Sequence, residues 1–228
     1  MKLAIIGAFA LACGSGDTSP MSITPKPLPA IPLDALCATH GDVHIAGERA
    51  QVRDPEVRAF ARATHGDAAA LAFTYLGPSD TTSTLASGDV RAQLGLKLRA
   101  ADGCNLVYVM WRFEPKPSIV VQVKRNAGQH TAKECDANGY TRIKAAKSAK
   151  VAAPAVGSEH VLQAEIDGDD LIAWADGNVV WQGRLGGQAG DLAGPVGVRA
   201  DNVQADIALR AIAGSGFDRC PKDRDASE

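Results

Sequence analysis

The strongest pattern of apolar and polar positions lies between Cys104 and Arg125. Val107, Val109, Trp111 and Phe113 alternate with Leu106, Tyr108, Met110 and Arg112; after a break, Ile119, Val121 and Val123 alternate with Val120, Gln122 and Lys124. A period of two built from β-branched and aromatic residues predicts two strands. Pro115 and Pro117 cannot donate ladder hydrogen bonds, so Glu114 to Pro117 form the connection. Pairing Phe113 with Ile119, Trp111 with Val121 and Val109 with Val123 gives one wholly apolar face. The opposite face, with Tyr108, Met110, Arg112, Val120, Gln122 and Lys124, is too apolar for plain solvent and too polar for a core. It reads either as a face partly covered by loops or as a ligand-facing surface.

The same period recurs along the chain. Gly41–Asp54 predicts a short strand pair turning at Ala46-Gly47-Glu48, and Pro55–Asp67, with Phe60 among alanines and arginines, predicts a strand. Leu71–Gly77 is a strand, and Leu94, Leu96 and Leu98 alternate with Lys97 and Arg99 in the next. Asn126–Tyr140 is a polar loop. From Glu159 to Leu185 two Asp-Gly steps, at Gly168 and Gly177, mark tight hairpins, and two more strands flank Asp201-Asn202. Many short strands with little helical period predict an all-β, two-sheet antiparallel sandwich.

The N-terminus departs from this pattern. Lys2 precedes a short apolar run, Leu3–Ala12, well under the ~20 residues that a membrane helix needs. Small residues lead into Cys13, and the segment resembles a bacterial lipoprotein signal peptide. The resemblance implies cleavage after residue 12 and lipidation of Cys13, with Gly14 at the following position implying sorting to the outer membrane of the cell envelope. The acyl chains would hold the protein to the membrane without a spanning helix. Residues 13–35, rich in Gly, Ser, Thr and Pro, read as a tether. Residues 36–221 form one domain, and 222–228 a charged disordered tail. Cys13 apart, the chain has Cys37, Cys104, Cys135 and Cys220. In an oxidising compartment these pair. The pairings chosen are Cys37–Cys220, tying the domain ends, and Cys104–Cys135, clamping the polar loop. A net charge of −2, with both signs interspersed, argues against nucleic-acid binding. A metal site on these cysteines is the alternative, but no CxxC or HxxxH spacing supports it; His40, His44, His65 and His130 have no ligand-like spacing, and no cofactor is implied.

The pattern HxLxAxIDGxxLxAxxDGxxV from His160, followed by GPVGVRxDN, resembles the concanavalin A-like lectin/glucanase superfamily in its laminin-G-like branch, and GDVHIAGERA is similar to the opening strand of that group. The resemblance implies a jelly-roll sandwich with Leu162, Ala164, Ile166, Leu171, Ala173 and Val180 on the core side. Glu165-Ile166-Asp167 resembles the ExDxxE strand of the retaining glucanases, but Gly168 turns the chain and the last glutamate is missing, which disfavours cleavage. With a two-residue turn at Gly168-Asp169, Gln163 faces Trp174 and Glu165 faces Ile172. The Asp176-Gly177 turn then places Trp174 opposite Val179 and Ile172 opposite Trp181. Gln163, Glu165, Trp174 and Trp181 thereby share the outward face, as rings beside polar groups that suit a sugar. A three-residue turn would make both tryptophans core. The expectation is a non-catalytic, glycan-binding module on a lipid-anchored protein. A glycoside hydrolase-like enzyme and a structural or protein-interaction lipoprotein are the alternatives.

Overall fold

The computed structural model describes residues 24–215. In chain order the strands are β1 (Leu36–His40), β2 (Val43–Ala46), β3 (Arg49–Val52), β4 (Glu56–Ala61), β5 (Thr64–Pro78), β6 (Ala92–Leu98), β7 (Leu106–Glu114) and β8 (Ser118–Lys124). A single helical turn, α1 (Ala132–Cys135), precedes β9 (Tyr140–Arg142), β10 (Lys147–Ser148), β11 (Glu159–Asp167), β12 (Asp170–Ala175), β13 (Asn178–Arg184), β14 (Gly197–Asp201) and β15 (Val203–Ala213). They form two antiparallel sheets, β1-β4-β14-β6-β7-β8-β9 and β10-β13-β12-β11-β5-β15-β3-β2, packed as a jelly-roll sandwich.

Alternation dictates which side chains fill the interior. Val107, Val109, Trp111, Phe113, Ile119, Val121 and Val123 from β7 and β8 face Leu71, Phe73, Leu162, Ala164 and Ile207 of the other sheet. Trp111 and Phe73 meet edge to face at 5.9 Å across the sandwich, and the indole N–H of Trp111 donates to the Ala152 carbonyl at 3.0 Å. This satisfies the ring's polar atom inside an apolar core.

The β7–β8 register differs from the expected one by two residues: Trp111 pairs with Ile119, Val109 with Val121 and Val107 with Val123. Because the side-chain period is two, this shift moves the turn without exchanging the faces.

The expected tether also differs. Its last ten residues belong to the folded body. Ile31 N–H donates to Leu209 O at 3.2 Å, and Ala211 N–H donates to Pro29 O at 3.0 Å, so the segment lies along β15 beyond the end of β3. Leu28 is buried against Ala68 and Ala70. The apolar Leu28 and the unpaired edge of β15 together fix a stretch whose prolines suggest a spacer by composition alone.

Cys104 and Cys135 form a disulfide that ties α1 to the start of β7. Cys37 is also disulfide-bonded; Cys220, its expected partner, lies outside the described residues, as does Cys13.

Candidate functional site

The outer face of the eight-stranded sheet does not present the expected constellation. The Gly168-Asp169 turn sets Gln163 opposite Trp174 and Glu165 opposite Ile172, as the hairpin predicts. Trp174 also pairs with Val179. Between these pairs and the next, β13 carries a bulge: Trp181 lies opposite Ala173, with Val180 as the extra residue. The one-residue slip turns Trp181 inward, where it joins the core beside Val180. Gln163, Glu165 and Trp174 do share the outer face, but the chain itself occupies it. Gln163 donates to the Lys26 carbonyl at 2.8 Å, the Lys26 ammonium sits 3.1 Å from the Glu165 carboxylate, and Trp174 is 1% exposed. These residues leave no open surface for a ligand.

Near the start of β11, Ser158 Oγ lies 2.9 Å from His160 Nε2, and His160 Nδ1 lies 2.8 Å from Asp176 Oδ2. The arrangement has the order of a nucleophile, base and orienting carboxylate. Its surroundings are those of a structural seam. The Ser158 hydroxyl donates to the Ala155 carbonyl at 2.5 Å, Asp176 accepts the Val161 N–H at 2.8 Å, and the imidazole packs on Trp111 and Phe73. A hydroxyl whose one proton goes to Ala155 can only accept from His160, so it is not poised to give that proton to the imidazole. The expected turn residue Asp169 is likewise engaged, accepting from the N–H groups of Gly186 and Gly187.

The outer face of the seven-stranded sheet is different. Here the alternate residues of β4, β14, β6, β7 and β8 put Arg58, Arg199, Lys97, Tyr108 and Lys124 side by side, and β9 adds Tyr140. These line a cleft of about 200 Å³. A second space of about 140 Å³, which reaches Gln93 and Gln122, shares Tyr140 and Arg199 with it. On the same face of β6, a Cβ at Gly95 would come within 2.8 Å of the Met110 sulfur and closer still to the Val109 carbonyl.

Two loops wall the cleft, and both are pinned. The loop 79–91 is held by Asn202, whose side chain donates to Ser83 O at 2.9 Å and Arg91 O at 3.0 Å and accepts from Ser83 N–H at 2.7 Å. The Ser83 hydroxyl bonds to Glu56. The loop 126–139 carries α1, whose capping box joins Thr131 and Glu134, and the Cys104–Cys135 bridge fastens it. Asn105 donates to Gln129 O at 2.8 Å and accepts from Asn126 N–H at 2.9 Å. The stretch expected to be a plain polar loop is thus a braced wall.

Electrostatics organise the interior. Asp201 is fully buried at the end of β14. Its carboxylate takes the Arg199 Nε–H at 2.8 Å, the Gln93 amide at 2.6 Å and an ion pair to Arg58 at 2.6 Å. Burial pushes this carboxyl up, but Arg199 and Arg58 outweigh burial and leave it below the ordinary carboxylate range. Burial likewise disfavours the Arg199 charge, and Asp201 with the two phenols more than restores it. Arg199 lies over the Tyr108 ring at 5.0 Å and donates to the Tyr140 hydroxyl at 3.1 Å. The two tyrosines stack with centroids 5.9 Å apart and planes 22° from parallel. Burial, then Tyr140, raises the Tyr108 phenol; in Tyr140 burial is outweighed by Arg199 and Lys124, so its phenol is more acidic than usual.

Lys124, 3% exposed, donates to the carbonyls of Asp136 at 3.0 Å and Gly103 at 3.4 Å and sits 5.0 Å from the Tyr140 ring centre. Its pKa is lowered, first by burial. The Lys97 ammonium lies 3.9 Å from the centre of the Phe60 ring. The mixed face of the central hairpin, with Tyr108 and Lys124, signalled this site in the sequence. Arg58, Arg199, Lys97 and Tyr140 did not stand out there, because they come from segments far apart in the chain. Among the described residues no cluster of His, Cys, Asp and Glu could hold a metal ion.

No protein-family model matches the chain, and no curated protein sequence does. Solved structures do. The carbohydrate-binding module CBM66 from Bacillus subtilis aligns with a TM-score of 0.53 at 14% identity, over 78% of this chain and 96% of that one. The metal-free carbohydrate recognition domain of Emp46p aligns with a TM-score of 0.50 at 11% identity, over 80% and 90% of the two chains. At such identities the likeness is one of fold: a two-sheet jelly-roll sandwich.

Proposed function

We propose that this protein is a carbohydrate-binding module that holds its ligand, without cleaving it, in the cleft on the outer face of the seven-stranded sheet. The observation that carries the reading is the stacked Tyr108–Tyr140 pair set among rigid hydrogen-bond donors inside braced walls. An aromatic surface beside fixed donors suits a sugar, which has an apolar face and a rim of hydroxyls. Glu56 and Asp201, the carboxylates beside Arg58, are both committed to ion pairs, which favours binding over general acid and base work. The two structurally similar proteins are carbohydrate-binding domains, in keeping with this reading.

A glycan array followed by calorimetry tests it. Wild type should bind a subset of glycans, and Tyr140→Ala should lose that binding while still folding, with a lowered melt because Arg199 loses a hydrogen-bond partner and Tyr108 its stacked ring. Retention of full affinity in Tyr140→Ala would remove the cleft from consideration. We further propose that Cys13 carries the lipid that anchors the module in the cell envelope. Metabolic labelling with a fatty-acid analogue should mark the wild type and not Cys13→Ala, and labelling that survives the change refutes the anchor.

A further inference from the structure

We infer that the ligand of this cleft is an acidic carbohydrate, a glycan whose sugar presents a carboxylate or sulfate to Lys124, Arg199 and Lys97. This rests on the carbohydrate reading above and adds to it the chemistry of the anchoring group.

The protein carries a net charge of −2, so nothing in its composition requires a basic surface. Yet Arg58, Arg199, Lys97 and Lys124 converge on one cleft, and Arg112 and Arg142 continue the same face along β7 and β9. The nearest carboxylates, Glu56 and Asp201, answer Arg58 and Arg199. Asp136 lines the rim and lends its backbone carbonyl to Lys124. Lys124 is held in this place by carbonyls and an aromatic ring. An ammonium withdrawn from water is costly, and here burial outweighs the support it receives from the Tyr140 phenol and the Asp136 carboxylate. Arg112 adds to this: its buried Nε has no hydrogen-bond partner among the described residues, and burial, then Arg91 and Arg142, disfavour its charge more than Asp89 supports it. A sandwich that needed only a stable outer face would place aliphatic residues at these positions. An anionic ligand suits the arrangement, since it would bring a further negative charge to the buried Lys124 beside Asp136.

The phenols set the geometry. Tyr140 accepts from Arg199, so its own proton is left to donate, and its lowered pKa makes it a stronger donor. A carboxylate or sulfate placed between Lys124 and Tyr140 would gain a charge-assisted bond from each. The sugar ring that bears it would lie against the tyrosine rings. The volume of about 200 Å³ fits a single residue of a chain rather than a long segment.

The test is calorimetry on the full chain at two salt concentrations. The probes are oligogalacturonate, its methyl ester, a sulfated oligosaccharide and a neutral galacto-oligosaccharide. The expected result is binding to the carboxylated or the sulfated probe, weakened at least ~10-fold by methyl esterification and weakened again by salt. Which acidic probe binds distinguishes carboxylate from sulfate, and either supports the inference. Lys124→Met should lower acidic-probe affinity by ~10-fold or more and flatten the salt dependence. Its melt should be unchanged or raised, because an apolar side chain replaces a buried charge. Lys97→Met is a second variant with the same expected loss of acidic-probe affinity. If the methyl ester or the neutral probe binds as well as the acid and Lys124→Met changes nothing, the acidic-ligand inference falls while the carbohydrate reading stands. If no probe binds and the glycan array is blank, both fall. Acidic binding that Tyr140→Ala leaves untouched would mean a nonspecific basic surface and also overturns the inference.

Discussion

Asp201→Asn is the substitution that most directly tests how the cleft is built. The side chain is fully buried, and its carboxylate compensates two guanidinium groups that are themselves only 15% and 11% exposed. The amide keeps the shape and one acceptor oxygen but removes the charge. Arg58 retains Glu56 at 3.2 Å, and Arg199 retains the Tyr140 hydroxyl at 3.1 Å. Breaking a buried pair by deleting one partner costs about 3–5 kcal/mol, and with these residual contacts the lower end, about 3 kcal/mol, applies. For a domain of this size that corresponds to a melting-temperature drop of about 6–12 °C. Urea denaturation of both proteins at neutral pH gives the difference directly. The pH dependence supplies the sign. The folded pKa of Asp201 is depressed, so its stabilisation is present above the unfolded value of about 3.9 and is lost as pH falls through the folded value. The gap between wild type and Asp201→Asn should therefore be constant near neutrality and close only in acid. A loss below about 1 kcal/mol at neutral pH would show that the arginines do not depend on this carboxylate. A gap that narrowed between pH 8 and 6 would point to another group.

Three further outcomes are expected. Trp181→Ala should cost about 3–5 kcal/mol and leave glycan affinity in the surviving folded protein unchanged, since the ring is core; loss of binding without loss of stability would restore it to a ligand surface. Cys104→Ser opens a loop of 31 residues' separation and should cost about 2–4 kcal/mol in denaturant, with the wall 126–139 loosened enough to weaken binding; amide exchange of that loop reads the effect. His130, hydrogen-bonded to Asp102, should titrate above the ordinary histidine value by NMR. Its contribution to the loop is then complete below about pH 6.5 and lost as pH rises through the raised value, and Asp102→Asn should return the titration to normal.

Much of the fold was legible in the chain because its signals are local. Alternation in β6, β7 and β8 specified which side of each strand is apolar, and that survived a two-residue error in pairing because the period is two. The Asp-Gly steps marked the β11–β12 and β12–β13 turns, and the first of them placed Gln163 and Glu165 in their correct pairs. The mixed outer face of β7 and β8 announced that something unusual covers or uses it. What tertiary structure alone decided are the features set by non-local packing. The Val180 bulge, one residue long, reverses Trp181, and no local pattern distinguishes it from a regular strand. The docking of Leu28 on Ala68 and Ala70 turns an apparent spacer into the cover of a sheet, because an open β15 edge and a small-residue face lie where the segment passes. The cleft itself gathers Arg58, Lys97, Lys124, Tyr140 and Arg199 from five strands, and it is walled by a loop that Asn202 grips across 119 residues of sequence. Strand order brings those side chains into one field. Strand order follows from which faces and edges can be buried together, and a one-dimensional pattern of apolar and polar residues does not encode that choice.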